Sequence, residues 1–315
     1  MNTKQLIFTS FLLHSASGFA GNYFPLDIEN NTKIASNKHV YIAIKANNNG
    51  KDCMMKIDHK GNAQCISVNK NTNLSDYNYS LATVPSKINL PHSSSGRIYF
   101  SIAEPIRLHV DGQTNKIVDP DGFNPRDPNY YTLYDKIEYT FNNSGTWMNP
   151  TAVDFFSLPI RINQPGASSS VTKAGYSSSR DQIINGFDNT LIKNDHTPTK
   201  EWAKLKLNYN GSLLRIIAPA KAMVNIPQVK PFPSDYLLGG KNSAYNYIDN
   251  LWQYYKSANI KVDCQELKSK IKLNNYMFVG KVEGDKFIFR NKDHSYSVIY
   301  PMEIKVNGLS SENYH

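Results

Sequence analysis

Residues 134–160 read YDKIEYTFNNSGTWMNPTAVDFFSLPI, and two acids in them sit where sheet residues are expected. Glu138 stands between Ile137 and Tyr139, and Asp154 between Val153 and Phe155. KIEYTF and VDFFSLPIRI both read as strands, with the turn-forming NNSGTWMNPT between them. Side chains alternate along a strand, so Ile137, Tyr139 and Phe141 share one face. Glu138, Thr140 and Asn142 share the other, about 6–7 Å apart in sequence along it.

The same texture extends on the N-terminal side. HVYIAIKA, CMMKID, AQCISV, SKINL, GRIYFSIA and IRLHV are short apolar runs separated by NNNGKD, HKGN, SSSG and DGQTN. Many short strands with turn residues between them predict an antiparallel sandwich or barrel. Cys53 and Cys65 bracket one such pair, CMMKIDHKGNAQC, and can bridge its two strands in an oxidising compartment; two buried thiols are the alternative. Cys264 is left over and reads as a small buried residue.

After NQPGASSS (163–170) the pattern changes. SRDQIINGFDNTLIK carries Ile183, Ile184, Phe187 and Leu191 at helical spacing behind a candidate N-cap, Ser179. KNSAYNYIDNLWQYYKSA places Ala244, Ile248, Leu251, Trp252 and Tyr255 on one stripe. LLRIIAP between them reads as a strand. Strand-like YMFVGKV, KFIFRN and YSVIYPMEIKV close the chain.

The leading MNTKQLIFTSFLLHSASGFA has the form of a secretory signal peptide: Lys4, an apolar run, then Gly18 and Ala20. It predicts cleavage near Ala20 and a secreted, extracellular or periplasmic protein. A hydrophobic content of 40% with 19% charged residues is that of an ordinary globular chain and sets aside the disordered classes. The net charge of +9 is scattered, with KSKIKLNN (268–275) its densest run, and reads as a solvated basic surface rather than a nucleic-acid site.

If the two acid-bearing strands are neighbours, their carboxyl groups lie about 5–9 Å apart. Paired carboxyl groups at such separations hydrolyse glycosidic bonds, one as acid and one as base or nucleophile. Taken alone, an acid on a half-exposed strand is more often a solvated residue. No nucleophile elbow, paired-histidine metal motif or phosphate-binding loop competes with the pair. His92, His109 and His294 are isolated. The aspartates of DPDGFNPRDP (119–128) lack EF-hand spacing, and its prolines predict a rigid loop.

GRIYFSIAEPIRLHV, DKIEYTFNNSGTWMNPTAVDFFSLPIRI, RIIAPAKAMVNIPQ and DYLLGGKNSAYNYIDNLWQYYKS, in this order, resemble glycoside hydrolase family sixty-four, the laminaripentaose-producing β-1,3-glucanases. The resemblance covers nearly the whole mature chain, and E-x-T-F-N followed by V-D-F is its most specific part. It implies a mainly β fold: a thaumatin-like β-sandwich or barrel domain and a smaller mixed α/β domain with a groove between them. The fold so implied agrees with the limits read from the residue pattern: a leader at 1–20, the β domain at 21–165 plus about 270–308, and the α/β domain at 166–269. Glu138 matches the family's general acid and Asp154 its general base. Thr140, Asn142, Trp147 and Thr151 match groove residues that contact glucan.

The resemblance further implies inverting hydrolysis of β-1,3-glucan to short laminari-oligosaccharides by a monomer, with no cofactor, no metal, and neither nucleic acid nor membrane as partner. Ile137 and nearby aromatics are the expected means of desolvating Glu138. Tyr139 stands where the family usually has phenylalanine, and YPMEIKVNGLSSENYH departs from the family's closing segment, so product length is open. The alternative is a non-catalytic β-glucan-binding or interaction protein on the same scaffold.

Overall fold

A computed structural model describes residues 22–163, 173–193, 201–219, 221–222, 247–264, 272–284, 286–293 and 297–301. The expected leader (1–20), most of the connector 163–170 and the tail after 301 lie outside the described residues. Two compact units are distinguished, residues 1–232 and 233–315.

The first unit is built on β-branched and aromatic runs that pair antiparallel. Its strands are β1 (Tyr23–Asp27), β2 (Val40–Asn48), β3 (Lys51–Ile57), β4 (Ala63–Ser67), β5 (Asn78–Ser80), β6 (Lys87–Pro91) and β7 (Ser93–Ile102). They continue as β8 (His109–Val110), β9 (Ile117–Val118), β10 (Leu133–Asn142) and β11 (Gly145–Pro150). The main sheet has the order β11-β10-β7-β2-β3-β4, with β5 also paired to β2. It is open among the described residues rather than the closed barrel allowed for from the sequence.

One face of this sheet carries the main core. Ile42, Ile44, Ile98, Ile137, Tyr139 and Phe141 from it meet Phe24, Ile88 and Leu90 of the β1–β6 ribbon, all in one buried cluster. This is the two-layer solution open to a half-apolar sheet. The opposite face buries Ala43, Met54, Tyr99 and Tyr134 under Leu74, Ile106, Ile117 and Phe155. That second layer covers only part of the face and leaves the remainder open.

The β3–β4 hairpin is as expected. Its turn falls at 58–62, where Gly61 takes a φ of 85° that favours glycine. Met55 pairs with Cys65, and Cys53 and Cys65 are joined in a disulfide.

Two elements differ from expectation. GTWMNP, read as part of a loop, is strand β11, joined to β10 by a turn in which Asn142 faces Gly145. VDFFSLPIRI is not one strand: it is divided into β12 (Phe155–Phe156) and β13 (Arg161–Asn163). β13 pairs with β14 (Lys173–Gly175). α1 (Arg180–Phe187) follows, with Ser179 and Gln182 forming a complete capping box. After α2 (Glu201–Lys204), β15 (Lys206–Tyr209) and β16 (Ser212–Ile217) make a hairpin that takes β12 onto its edge.

In the second unit, α3 (Tyr247–Ser257) precedes a four-stranded sheet of β17 (Ile260–Asp263), β18 (Met277–Glu283), β19 (Lys286–Asn291) and β20 (Ser297–Pro301), in chain order. Trp252 and Tyr255 of α3 contact Phe287 of β19. Among the described residues the closing strands pair with one another and with β17.

Candidate active site

Along β10 the burial alternates as predicted. Ile137, Tyr139 and Phe141 are buried, and Glu138, Thr140 and Asn142 are half-buried. Register then decides what surrounds Glu138: Arg97 of β7 stands opposite on one side and Asn149 of β11 on the other. One strand further, Lys45 of β2 is opposite Arg97. The cross-strand row Asn149, Glu138, Arg97, Lys45 is therefore polar and charged on the sheet's partly open face.

This row floors a cleft of about 390 Å³ whose lining also includes Thr140, Trp147, Asp52 and Asp119. Trp147 pairs with Thr140 across the β10–β11 ladder. The Thr140 hydroxyl donates to the Ser94 carbonyl at 3.1 Å. Arg97 donates from Nε (3.1 Å) and Nη2 (2.9 Å) to the same carboxyl oxygen, Oε1 of Glu138. Its Nη1 turns away to Asp119 Oδ2. Asp119 Oδ1 accepts from the Tyr99 hydroxyl and pairs with Lys45 Nζ. Burial alone would raise the Asp119 carboxyl, but Lys45, Tyr99 and Arg97 hold it below the usual range.

The expected desolvation of Glu138 by Ile137 is corrected by this geometry. Ile137 and Tyr139 belong to the core on the other face of the sheet, and the group at the carboxyl is a guanidinium.

Asp154 lies outside the cleft lining, in the bend before β12 and not within a strand. Since β12 pairs with β16 and β10 with β11, the two acids are not on neighbouring strands. Asp154 is held from β10 all the same. Lys136, two residues before Glu138 on the same face, places Nζ 2.7 Å from Asp154 Oδ2, and Lys221 Nζ is 3.3 Å from Oδ1. The Asp154 carbonyl accepts from Ala218 N at 2.9 Å. Burial pushes the Asp154 carboxyl up, but the two ammonium groups outweigh it and hold the carboxyl below its ordinary value.

Asn142 and Thr151 are also outside the cleft lining. Asn142 is a turn residue whose Oδ1 accepts from Ser144 N at 2.8 Å. Thr151 follows β11 in irregular chain. Of the six residues singled out, the structure brings Glu138, Thr140 and Trp147 into one cleft.

The sequence profile of the β-1,3-glucanase family, glycoside hydrolase family sixty-four, matches residues 22–311. The chain belongs to this family. Among curated relatives, a glucan endo-1,3-beta-glucosidase of Arthrobacter sp. (strain YCWD3) is 27% identical over 200 residues, which are 62% of this chain and 32% of the relative. One of the same description from Cellulosimicrobium cellulans is 26% identical with the same coverage. The chain thus matches about a third of the length of these curated relatives.

The β-1,3-glucanase domain from Clostridium beijerinckii is similar in structure at a TM-score of 0.56 and 21% identity, over 88% of this chain and 71% of that one. A laminaripentaose-producing β-1,3-glucanase solved with laminaritetraose gives 0.55 at 23% identity, over 90% and 72%. At these identities the likeness is one of fold.

Within the family scaffold, Arg97, Lys45, Asp119 and Asn149 are cleft residues that the sequence did not single out. Arg97 and Lys45 sit in GRIYFSIA and HVYIAIKA at alternating polar positions, so strand alternation carried a signal for them. Asp119 enters the sequence reading only within DPDGFNPRDP, and nothing local marks its partners, which are 20, 22 and 74 residues away.

Proposed function

We propose that the protein is a secreted, monomeric endo-β-1,3-glucanase that inverts the anomeric carbon and releases short laminari-oligosaccharides. Its support is the coincidence, in one cleft, of Glu138 with the hydroxyl of Thr140, the indole of Trp147 and the amide of Asn149, in a chain of this family. The relatives' names and the laminaritetraose complex make linear β-1,3-glucan the first substrate to test.

In the proposed step Glu138 donates its proton to the glycosidic oxygen as the C–O bond breaks. A water attacks the anomeric carbon from the opposite face and gives a proton to Asp154. Lys136 and Lys221 suit Asp154 to this role by keeping it ionised, and they also weaken it as a base. Trp147 would stack on a pyranose ring.

One observation favours a second reading, a β-glucan-binding protein without catalysis. The Glu138 carboxyl is already engaged by the Arg97 guanidinium, 2.9 Å away, a contact that would equally serve a purely binding groove. Incubating the mature protein with linear β-1,3-glucan, alongside Glu138→Gln and Asp154→Asn, decides between them. Soluble oligosaccharides whose first-formed anomer is α, lost in both variants, are expected. Binding of the polymer with no product from the wild type would leave the second reading.

A further inference from the structure

The two carboxyl groups that meet Arg97 are engaged unequally. Both oxygens of Asp119 accept: Oδ1 from Tyr99 and Lys45, Oδ2 from Arg97. Glu138 accepts twice, both times on Oε1, and Oε2 has no protein donor among the described residues. An arginine facing a carboxylate usually engages both oxygens with its planar fork. Here one end of the fork is spent on Asp119 and the other converges on a single Glu138 oxygen. A carboxyl group whose carbonyl oxygen accepts and whose other oxygen is unengaged can be a neutral acid; one that accepts on both oxygens, as Asp119 does, is committed to the anion.

The charged and titratable groups facing Glu138 complete the balance. They are Arg97 and Tyr99 from β7, Lys45 from β2, Asp52 from β3, Asp119 from the loop after β9, and Lys136 from β10 itself, paired with Asp154. β11 offers only Asn149 and Trp147. Asp52 is engaged elsewhere, accepting from Asn47 Nδ2 at 2.7 Å and Ile117 N at 2.9 Å. The carboxylate in direct contact with both Lys45 and Arg97 is that of Asp119.

We propose that Asp119 is a positioning residue for the acid: it offsets the charges of Lys45 and Arg97, so that Arg97 fixes Oε1 of Glu138 while a proton stays on Oε2. The inference deepens the hydrolase reading and rests on Glu138 being its acid. Asp119 acts only through Arg97 and Lys45 and touches no substrate atom in this scheme.

The test follows the 13C signal of the Glu138 side-chain carboxyl against pH in the full mature chain, together with the pH profile of kcat/KM. Asp119→Asn is nearly isosteric and leaves two cations uncompensated. It should release the Glu138 proton at lower pH, with proton affinity down roughly tenfold, and move the alkaline limb of the profile the same way. Arg97→Gln removes a cation and leaves Asp119 behind, so both readouts should move to higher pH. A merely structural role predicts no such opposition. An unmoved or raised Glu138 titration in Asp119→Asn, or shifts of one sign in the two variants, overturns the inference. The hydrolase reading fails separately, if the wild type releases no product from glucan, and the role of Glu138 as its acid fails if hydrolysis survives in Glu138→Gln.

Discussion

Lys136 Nζ and Asp154 Oδ2 are 2.7 Å apart, which fastens the bend before β12 to the strand that carries Glu138. The lysine is 9% exposed and the aspartate 24%, so solvent screens the pair only partly. Lys136→Met keeps the packing and leaves Asp154 with Lys221 alone. Stability should fall by about 2 kcal/mol, less than the roughly 3–5 kcal/mol of a fully buried pair because Lys221 still meets Asp154 and the pair is partly exposed. Asp154 should also hold its proton to higher pH, which raises the acidic limb of kcat/KM. Urea unfolding and a pH profile check the two parts, and an unmoved acidic limb would remove Asp154 from the base role.

Trp147 faces the cleft beside Thr140 and contributes mainly area. Trp147→Ala should raise KM for glucan roughly tenfold and leave kcat within a few-fold, because stacking serves ground and transition states alike. A large fall in kcat at unchanged KM would instead assign the indole to the transition state.

The Cys53–Cys65 bridge closes a short loop, with a sequence separation of 12. Replacing both cysteines by alanine should cost about 3 kcal/mol, much of it through a less restricted unfolded chain. Thermal unfolding of the oxidised wild type, the reduced wild type and the double variant would show it. Equal midpoints for all three would mean the β3–β4 hairpin is held without the bond.

Gly122 has no room for a side chain. A β-carbon there would lie 2.1 Å from Arg215 Nη1 and 2.8 Å from the Phe155 ring. Arg215 is fully buried, donates to the Gly122 carbonyl at 2.9 Å and to that of Thr132, and lies over Tyr134 and Phe155. It has no solvent-exposed position to retreat to, so Gly122→Ala should destabilise by about 2 kcal/mol. Retention of wild-type stability would show that the 119–132 loop can shift without loss.

Asp135 is buried and accepts from the backbone N–H groups of Lys136, Ser157 and Leu158, each at 2.9 Å. Burial nonetheless pushes its carboxyl up from 3.8 to about 6. The folded chain therefore holds this proton more tightly than the unfolded one. Its stabilising contribution is full below about pH 4 and is lost as pH rises through about 6. Relative to Asp135→Asn, the wild type should lose on the order of 2 kcal/mol across that window, read as a difference in Tm. Parallel Tm curves for the two proteins between pH 4 and 7 would contradict it.

The features legible in the sequence were those set by local rules. Alternation placed Glu138 and Thr140 on the open face of β10, Ser179 marked the start of α1, and the spacing of Cys53 and Cys65 marked a hairpin. β11 was hidden because Gly145, Asn149 and Pro150 punctuate it as a loop, whereas its tertiary partner, β10, makes it a strand. Asp154 was assigned to a neighbouring strand because Val153 and Phe155 look like sheet residues. Val153 is in fact 69% exposed, in a bend. The Arg97–Asp119 and Lys45–Asp119 contacts depend on how a loop returns over the sheet, which no window of sequence contains.

The alternation along β10 also sets what this gene can survive by insertion or deletion. Gaining or losing one residue between Lys136 and Thr140 would exchange the strand's two faces, sending a carboxyl group into hydrocarbon and a core side chain into the cleft. Gaining or losing two would preserve each side chain's face and only slide it along the cleft. Length variation in this strand among related chains should therefore come in even steps.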